Sequence, residues 1–139
     1  MNKKFKLEIV SLNGHVFNGL IEEVVVPGVD GYLGVLKDHA PIIVELGVGI
    51  IKVRLDRGRF KFFALAGGFL NVENNVVRVL ADISEDAEQI DEERAKMAIE
   101  RALEKLNRKN ASRDNYKARQ SLTRAKNRLE AIAKAKKNG

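Results

Sequence analysis

The stretch IIKVRLDRGRFKFFAL, residues 50–65, decides the fold class. Ile51, Val53 and Leu55 alternate with Lys52 and Arg54, the period of two that gives a strand one buried and one wet face. Asp56-Arg57-Gly58 is a turn signal, and RFKFFAL at 59–65 is a second β-rich run, so the stretch reads as two strands and a tight connection. Working outward, the same texture recurs in FKLEIV at 5–10, EEVVVP at 22–27, PIIVEL at 41–46 and VVRVLA at 76–81. Phe5, Leu7 and Ile9 alternate as Ile51, Val53 and Leu55 do, and Asn74-Asn75 marks another turn. Many short strands joined by tight Gly or Asn turns indicate a sandwich or barrel.

The chain changes character near residue 85. Ten of its eleven glycines lie at or before Gly68, and both prolines, Pro27 and Pro41, lie earlier still. Beyond that point the apolar period becomes about 3.6, with Ala95, Ala98, Ile99, Ala102, Leu103 and Leu106 on one helical face. Asp91 is placed to cap this helix, Glu92 and Glu93 suit its positive end, and Lys105, Arg108 and Lys109 suit its negative end. A polar break from Asn107 to Ser112 precedes a second stripe of Ala118, Leu122, Ala125, Leu129 and Ile132. The class is α+β: an all-β sandwich over 1–85, then an antiparallel two-helix hairpin over 86–139. Each stripe is narrow and rich in alanine, wide enough for one partner. The hairpin is therefore either a switch that docks and extends or a permanent completion of the core.

The net charge of +6 over 139 residues is unevenly placed. Residues 1–86 carry ten Lys/Arg against eleven Asp/Glu, whereas 87–139 carry fifteen against eight. The basic excess sits entirely in the hairpin. With no cysteine, disulfides, thiolate metal sites and thiol nucleophiles are excluded. No apolar run is long enough to span a membrane, and the N-terminal MNKKFKLEIV lacks the apolar segment of a signal peptide, so a soluble, non-exported chain without direct membrane insertion is expected.

Little supports catalysis. His15 and His39 have no metal-ligand spacing, and a structural hydrogen bond is the expected role for each. There is no phosphate loop, and Gly47-Val48-Gly49 lacks the third glycine of a dinucleotide fingerprint. No carboxylate pair sits beside a nucleophile. No catalytic residue, metal site or required cofactor is assigned.

The hairpin cations are more informative. At 100° per residue, Arg94 and Arg101 fall on nearly one line beside the first stripe, and Lys117, Arg124 and Arg128 do so beside the second. Packed stripes would let them converge on a polyphosphate, near Glu85 and Asp91, through forked guanidinium donors. The plain alternative is a solvated border along the seam. A rival from another class is a nucleic-acid-binding module, but the tail offers one aromatic, Tyr116, and no helix-turn-helix pattern.

Three stretches carry a family resemblance: Gly31-Tyr32-Leu33-Gly34-Val35-Leu36-Lys37-Asp38-His39-Ala40-Pro41, Ala66-Gly67-Gly68-Phe69-Leu70-Asn71-Val72 and Ile90-Asp91-Glu92-Glu93-Arg94-Ala95. In that order they resemble the epsilon-subunit family of bacterial F-type ATP synthases, across essentially the whole chain. The resemblance implies a sandwich of about ten strands bound to the gamma subunit and the c-subunit ring, peripheral on the cytoplasmic face of the bacterial membrane. It implies a hairpin that folds down or extends toward the alpha/beta hexamer to block hydrolysis, with no nucleic-acid partner. It also implies that the folded-down hairpin binds ATP as a regulatory ligand through Glu85, Ile90, Asp91, Arg94, Ala95, Arg101, Lys117, Arg124 and Arg128. Lys117 departs from the family pattern, where arginine stands, replacing a fork with a point charge.

Overall fold

The computed structural model describes residues 2–107 and 112–138. Eight strands come first: β1 (Phe5–Ser11), β2 (Gly14–Ile21), β3 (Glu23–Gly28), β4 (Gly31–Val35), β5 (Ile42–Arg54), β6 (Phe60–Glu73), β7 (Val76–Ala81) and β8 (Ser84–Asp86). Helices α1 (Glu92–Leu106) and α2 (Ser112–Asn138) follow. Strands pair in the order β2-β1-β7-β6-β5-β3-β4, with β8 alongside β6. All pairs are antiparallel except β1 with β7.

The resemblance implies about ten strands; eight are formed among the described residues, because two long strands each do the work of two. PIIVEL and IIKVRL read as separate strands in the sequence, yet both lie in β5, which runs for 13 residues. Its partner β6 runs for 14, through Gly67-Gly68. The pairing of β5 with β6 keeps one register from Ile42↔Val72 to Arg54↔Phe60, interrupted only between Leu46↔Gly68 and Val48↔Ala66, at Gly47 and Gly67. The buried set nonetheless changes parity in the middle. Ile42, Val44 and Leu46 face the main core at one end, but Ile51 and Val53 do so at the other. In β6 the switch runs from Phe63 and Leu65 to Leu70 and Val72.

The switch falls where the strands are richest in glycine, at Gly47 and Gly49 of β5 and at Gly67 and Gly68 of β6, with Gly68 paired to Leu46 and Gly49 to Leu65. Gly67 has φ +82° and Gly68 φ +136°, conformations that cost a side chain but not glycine. A Cβ on Gly68 would stand 2.2 Å from the Leu80 carbonyl oxygen. The ribbon thus turns its other face to the core without losing register. What it exposes on the outside beyond the switch is Ile50, Phe62 and Ala64, and these form a second, smaller core with Ala87 and Ala131.

Local turn chemistry matches the strand ends. Asn74 and Asn75 both have positive φ (51° and 59°), the two-residue hairpin geometry that suits right-twisted strands. Arg57 and Gly58 are also left-handed, at 59° and 69°. Among the described residues the main core, built on Leu7, Ile9, Val26, Phe63, Leu70 and Val79 among others, contains none from either helix. Each such side chain contributes about 1.5–3 kcal/mol on burial, so the sandwich has an apolar core of its own.

Helix α1 begins where Asp91 places it: the carboxylate accepts the Arg94 N–H at 3.1 Å, with Glu92 and Glu93 in the first turn. The hairpin is antiparallel, since Lys136 at the end of α2 reaches Glu92 at the start of α1, 3.1 Å away. Ala95, Ala102, Ala118, Ala125 and Ile132 are buried as the stripes require, whereas Leu103 stays exposed at the edge of its stripe. Arg108, Lys109 and most of the expected polar break lie outside the described residues.

Gly68→Ala is expected to destabilise the chain by roughly 3 kcal/mol, combining a strained φ with a backbone clash. Urea unfolding followed by β-sheet circular dichroism measures it; a change below 1 kcal/mol would mean the switch needs no glycine.

Candidate functional site

The site is built outward from β8. This short strand is held by pairing Phe63↔Asp86, Ala64↔Glu85 and Leu65↔Ser84 with β6. Lys61 on β6 anchors it further, with its ammonium 2.9 Å from Asp86. Burial pulls the Lys61 pKa down, but the hydrogen bond and attraction from Asp86 and Glu88 outweigh it and leave the group above its ordinary value. Asp86 Oδ1 in turn accepts the Glu88 N–H at 2.9 Å, opening the turn at Ala87–Gln89 that leads to α1. Ile90 packs against the second core. Glu85, Ile90 and the start of α1 are therefore fixed by the sandwich itself.

Across the gap lies α2. Arg128 Nε is 2.6 Å from Glu85 Oε1, joining the helix to β8. Beside it Asn127 is buried, and its Nδ2 donates to the carbonyls of Gly49 at 2.9 Å and Leu65 at 3.2 Å. Between α1, β8 and α2 opens a cleft of about 290 Å³. It is lined by Glu85, Ile90, Asp91, Arg94, Ala95, Arg101 and Arg128, together with Gln89, Met97 and Ala98.

Seven of the nine residues expected from the sequence thus share one cleft. Arg124 is a neighbour rather than a liner: it borders a small crevice with Glu85 and Arg128 and a separate groove of about 540 Å³ with Val48, Gly67 and Tyr116. Lys117 is exposed and lines none of these. Eleven residues before Arg128, it lies about 16 Å back along the helix at 1.5 Å per residue. Sequence reasoning missed Gln89, Met97, Ala98 and Asn127. Asn127 had a signal, because Asn127, Ala131 and Ala135 recur every four residues and make a second stripe beside the one that meets α1.

The cleft suits an anion. Three guanidinium groups face two carboxylates, and the Asp91 carboxylate is already engaged by the α1 backbone. The first turn of α1 adds backbone N–H groups and the positive end of the helix dipole. Lys136 and then Lys96 hold the Glu92 carboxyl below its ordinary value of 4.5. A depressed carboxylate contributes stability that is present above 4.5 and lost as pH falls through its lower folded value, so this tie between helices weakens in acid.

The histidines stand apart from the cleft. His39 Nδ1 lies 2.7 Å from the Ala40 carbonyl oxygen, and His15 is 4.0 Å from Glu8. Among the described residues no cluster of His, Cys, Asp or Glu is arranged to hold a metal, and no helix is long and apolar enough to cross a membrane.

Residues 4–87 match the model of the ATP synthase delta/epsilon chain β-sandwich domain, and residues 88–133 match that of the long α-helix domain of the same chains. The chain belongs to the ATP synthase delta/epsilon family. It is 44% identical over 131 residues to the ATP synthase epsilon chain of Desulforamulus reducens, covering 94% of this chain and 98% of that one. It is 39% identical over 128 residues to the epsilon chain of Bacillus velezensis, covering 92% and 96%. A chain of the Euglena gracilis mitochondrial ATP synthase OSCP/F1/c-ring assembly has the same fold, with a TM-score of 0.80 at 21% identity over 96% of this chain and 83% of that one.

In this epsilon-family chain Asp91 acts first as a cap. Asp91→Ala is expected to cost α1 about 1 kcal/mol, read as faster amide exchange in its first two turns with β6 unchanged; equal exchange in both proteins would remove the cap from the account.

Proposed function

We propose that this chain is the non-catalytic epsilon subunit of a bacterial F-type ATP synthase, and that its hairpin is a nucleotide-sensing brake. In this reading the sandwich joins the gamma subunit to the c-subunit ring, and the subunit sits peripherally on the cytoplasmic face of the membrane. The family match along the whole chain supports this role. One related fold belongs to a Tetrahymena thermophila mitochondrial central stalk/c-ring assembly, with a TM-score of 0.58 at 11% identity over 94% of this chain and 98% of that one.

The observation that carries the sensing part is the cleft between α1, β8 and α2. Its liners come from β8, the turn into α1, α1 itself and, through Arg128, α2, so in this reading the set is complete when α2 is folded down. ATP would place its phosphates among Arg94, Arg101 and Arg128, each guanidinium offering paired donors to phosphate oxygens. Arg128 would divide its donors between phosphate and Glu85. In this reading ATP is a regulatory ligand and not a required cofactor, and binding without hydrolysis is the expected behaviour.

A ligand that binds only the compact form stabilises it by mass action, about 2.7 kcal/mol when its concentration is 100 times Kd. Scarce ATP frees the hairpin to extend toward the alpha/beta hexamer. There the excess of fifteen Lys/Arg over eight Asp/Glu in residues 87–139 favours acidic surfaces, an attraction that weakens with salt.

Calorimetric titration of ATP into the full chain tests the sensor. Arg94→Ala and Arg128→Ala should each weaken binding at least about tenfold, as loss of a charge-assisted forked contact does. Lys117→Ala should change it less than about threefold, in keeping with its distance from the cleft. No heat at millimolar ATP, or equal loss from all three variants, would contradict a site at this cleft.

A further inference from the structure

Among the described residues two polar side chains are buried, Ser84 and Asn127, and of these two it is Asn127 that bridges the helical hairpin to the sandwich. Its two acceptors are not arbitrary. Gly49 and Leu65 are directly paired residues of β5 and β6, so one amide group spans both strands. Only the NH₂ end of the amide can serve two carbonyl oxygens, which also fixes its orientation. The contact lies beside the glycine switch, where the ribbon turns its face.

The apolar contacts of α2 with the sheet are poor in information. Its members of the second core are Ala131 and, less buried, Ala135, against Ile50, Phe62 and Ala64. Methyl groups on a smooth helix surface define an axial position only weakly. Charge does no better. Arg124 and Arg128 are one turn apart and border the same crevice with Glu85, so sliding α2 by one turn exchanges one guanidinium for the other. The amide is different: the same slide brings Thr123 or Ala131 to the two carbonyls, and neither carries two N–H donors.

We infer that Asn127 is a register key: it fixes the axial position of α2 on the sandwich and thereby selects Arg128, rather than Arg124, as the partner of Glu85. It is a positioning residue, acting through Arg128. The physics is that of a buried amide in a coiled-coil seam, where one polar side chain sets alignment that apolar contacts leave open. The inference does not depend on what fills the cleft.

The test uses the full chain, with hydrogen exchange of α2 amides as the measure of docking. Asn127→Leu keeps the volume and removes both donors; it should lower protection over 124–135 at least about tenfold. Among the described residues the main core holds none from the helices, so β1, β6 and β7 should keep theirs. Double-mutant cycles then read the register. In the native background Glu85→Gln should couple to Arg128→Ala and not to Arg124→Ala, whereas with Leu at 127 the coupling should be shared between the two arginines.

Lys136→Ala, which removes only the exposed tie to Glu92, should leave the coupling with Arg128. Unchanged α2 protection in Asn127→Leu would overturn the proposal. So would coupling still confined to Arg128, since the register would then be set elsewhere. Loss of protection throughout the sandwich would overturn it too, by making Asn127 a determinant of the whole fold.

Discussion

The structure depends on one backbone constraint, the coordinated turn of β5 and β6 at Gly47–Gly49 and Gly67–Gly68. Two strands of 13 and 14 residues stay in register while their buried faces exchange. On one side of the switch the ribbon closes the sandwich core. On the other it presents Ile50, Phe62 and Ala64 outward, and without that apolar strip the hairpin would have nothing to dock on. The positive φ of Gly67 and Gly68 makes the exchange affordable in backbone terms.

From this follows a division of labour in energy. The sandwich keeps a core of large side chains independent of the helices. The hairpin rests on alanines and on a few polar contacts: Asn127 to two carbonyls, Arg128 to Glu85, and Lys136 to Glu92. Alanine burial is small per residue, so the polar contacts decide position, and their loss is local. Such an element has the character of a low-stability unit on a stable scaffold, which is what the proposed brake requires. The cleft joins the two parts, because its walls belong to β8, α1 and α2 together.

Much of this was legible in the residues. Alternation in Phe5-Leu7-Ile9 and Ile51-Val53-Leu55 gave the strands, the change of period near residue 85 gave the helices, and Asp91 marked the first turn of α1, since each is a local signal with a fixed period or cap geometry. The glycine switch is hidden in the sequence, because PIIVEL and IIKVRL each alternate cleanly on their own but with opposite parity. The arginine lines beside the stripes include Arg94, Arg101 and Arg128, which line one cleft. Angle says nothing of axial distance, so Lys117 looked equivalent to Arg128 although it lies about 16 Å away. Asn127 went unread for a different reason: a lone amide among charged residues looks solvent-facing until the sheet carbonyls it meets are known.

The proposed brake requires the hairpin to exchange between a docked and an extended state while the sandwich keeps its fold. The absence of cysteine permits one spin label on α2, at Lys134, and another on the sandwich, at Arg57, with no background labelling. The distance distribution between them, measured with and without saturating ATP, should be broad or double without nucleotide and collapse onto the docked distance with it. A single docked distance in both conditions, unmoved by ATP, would show a permanent hairpin and contradict the account.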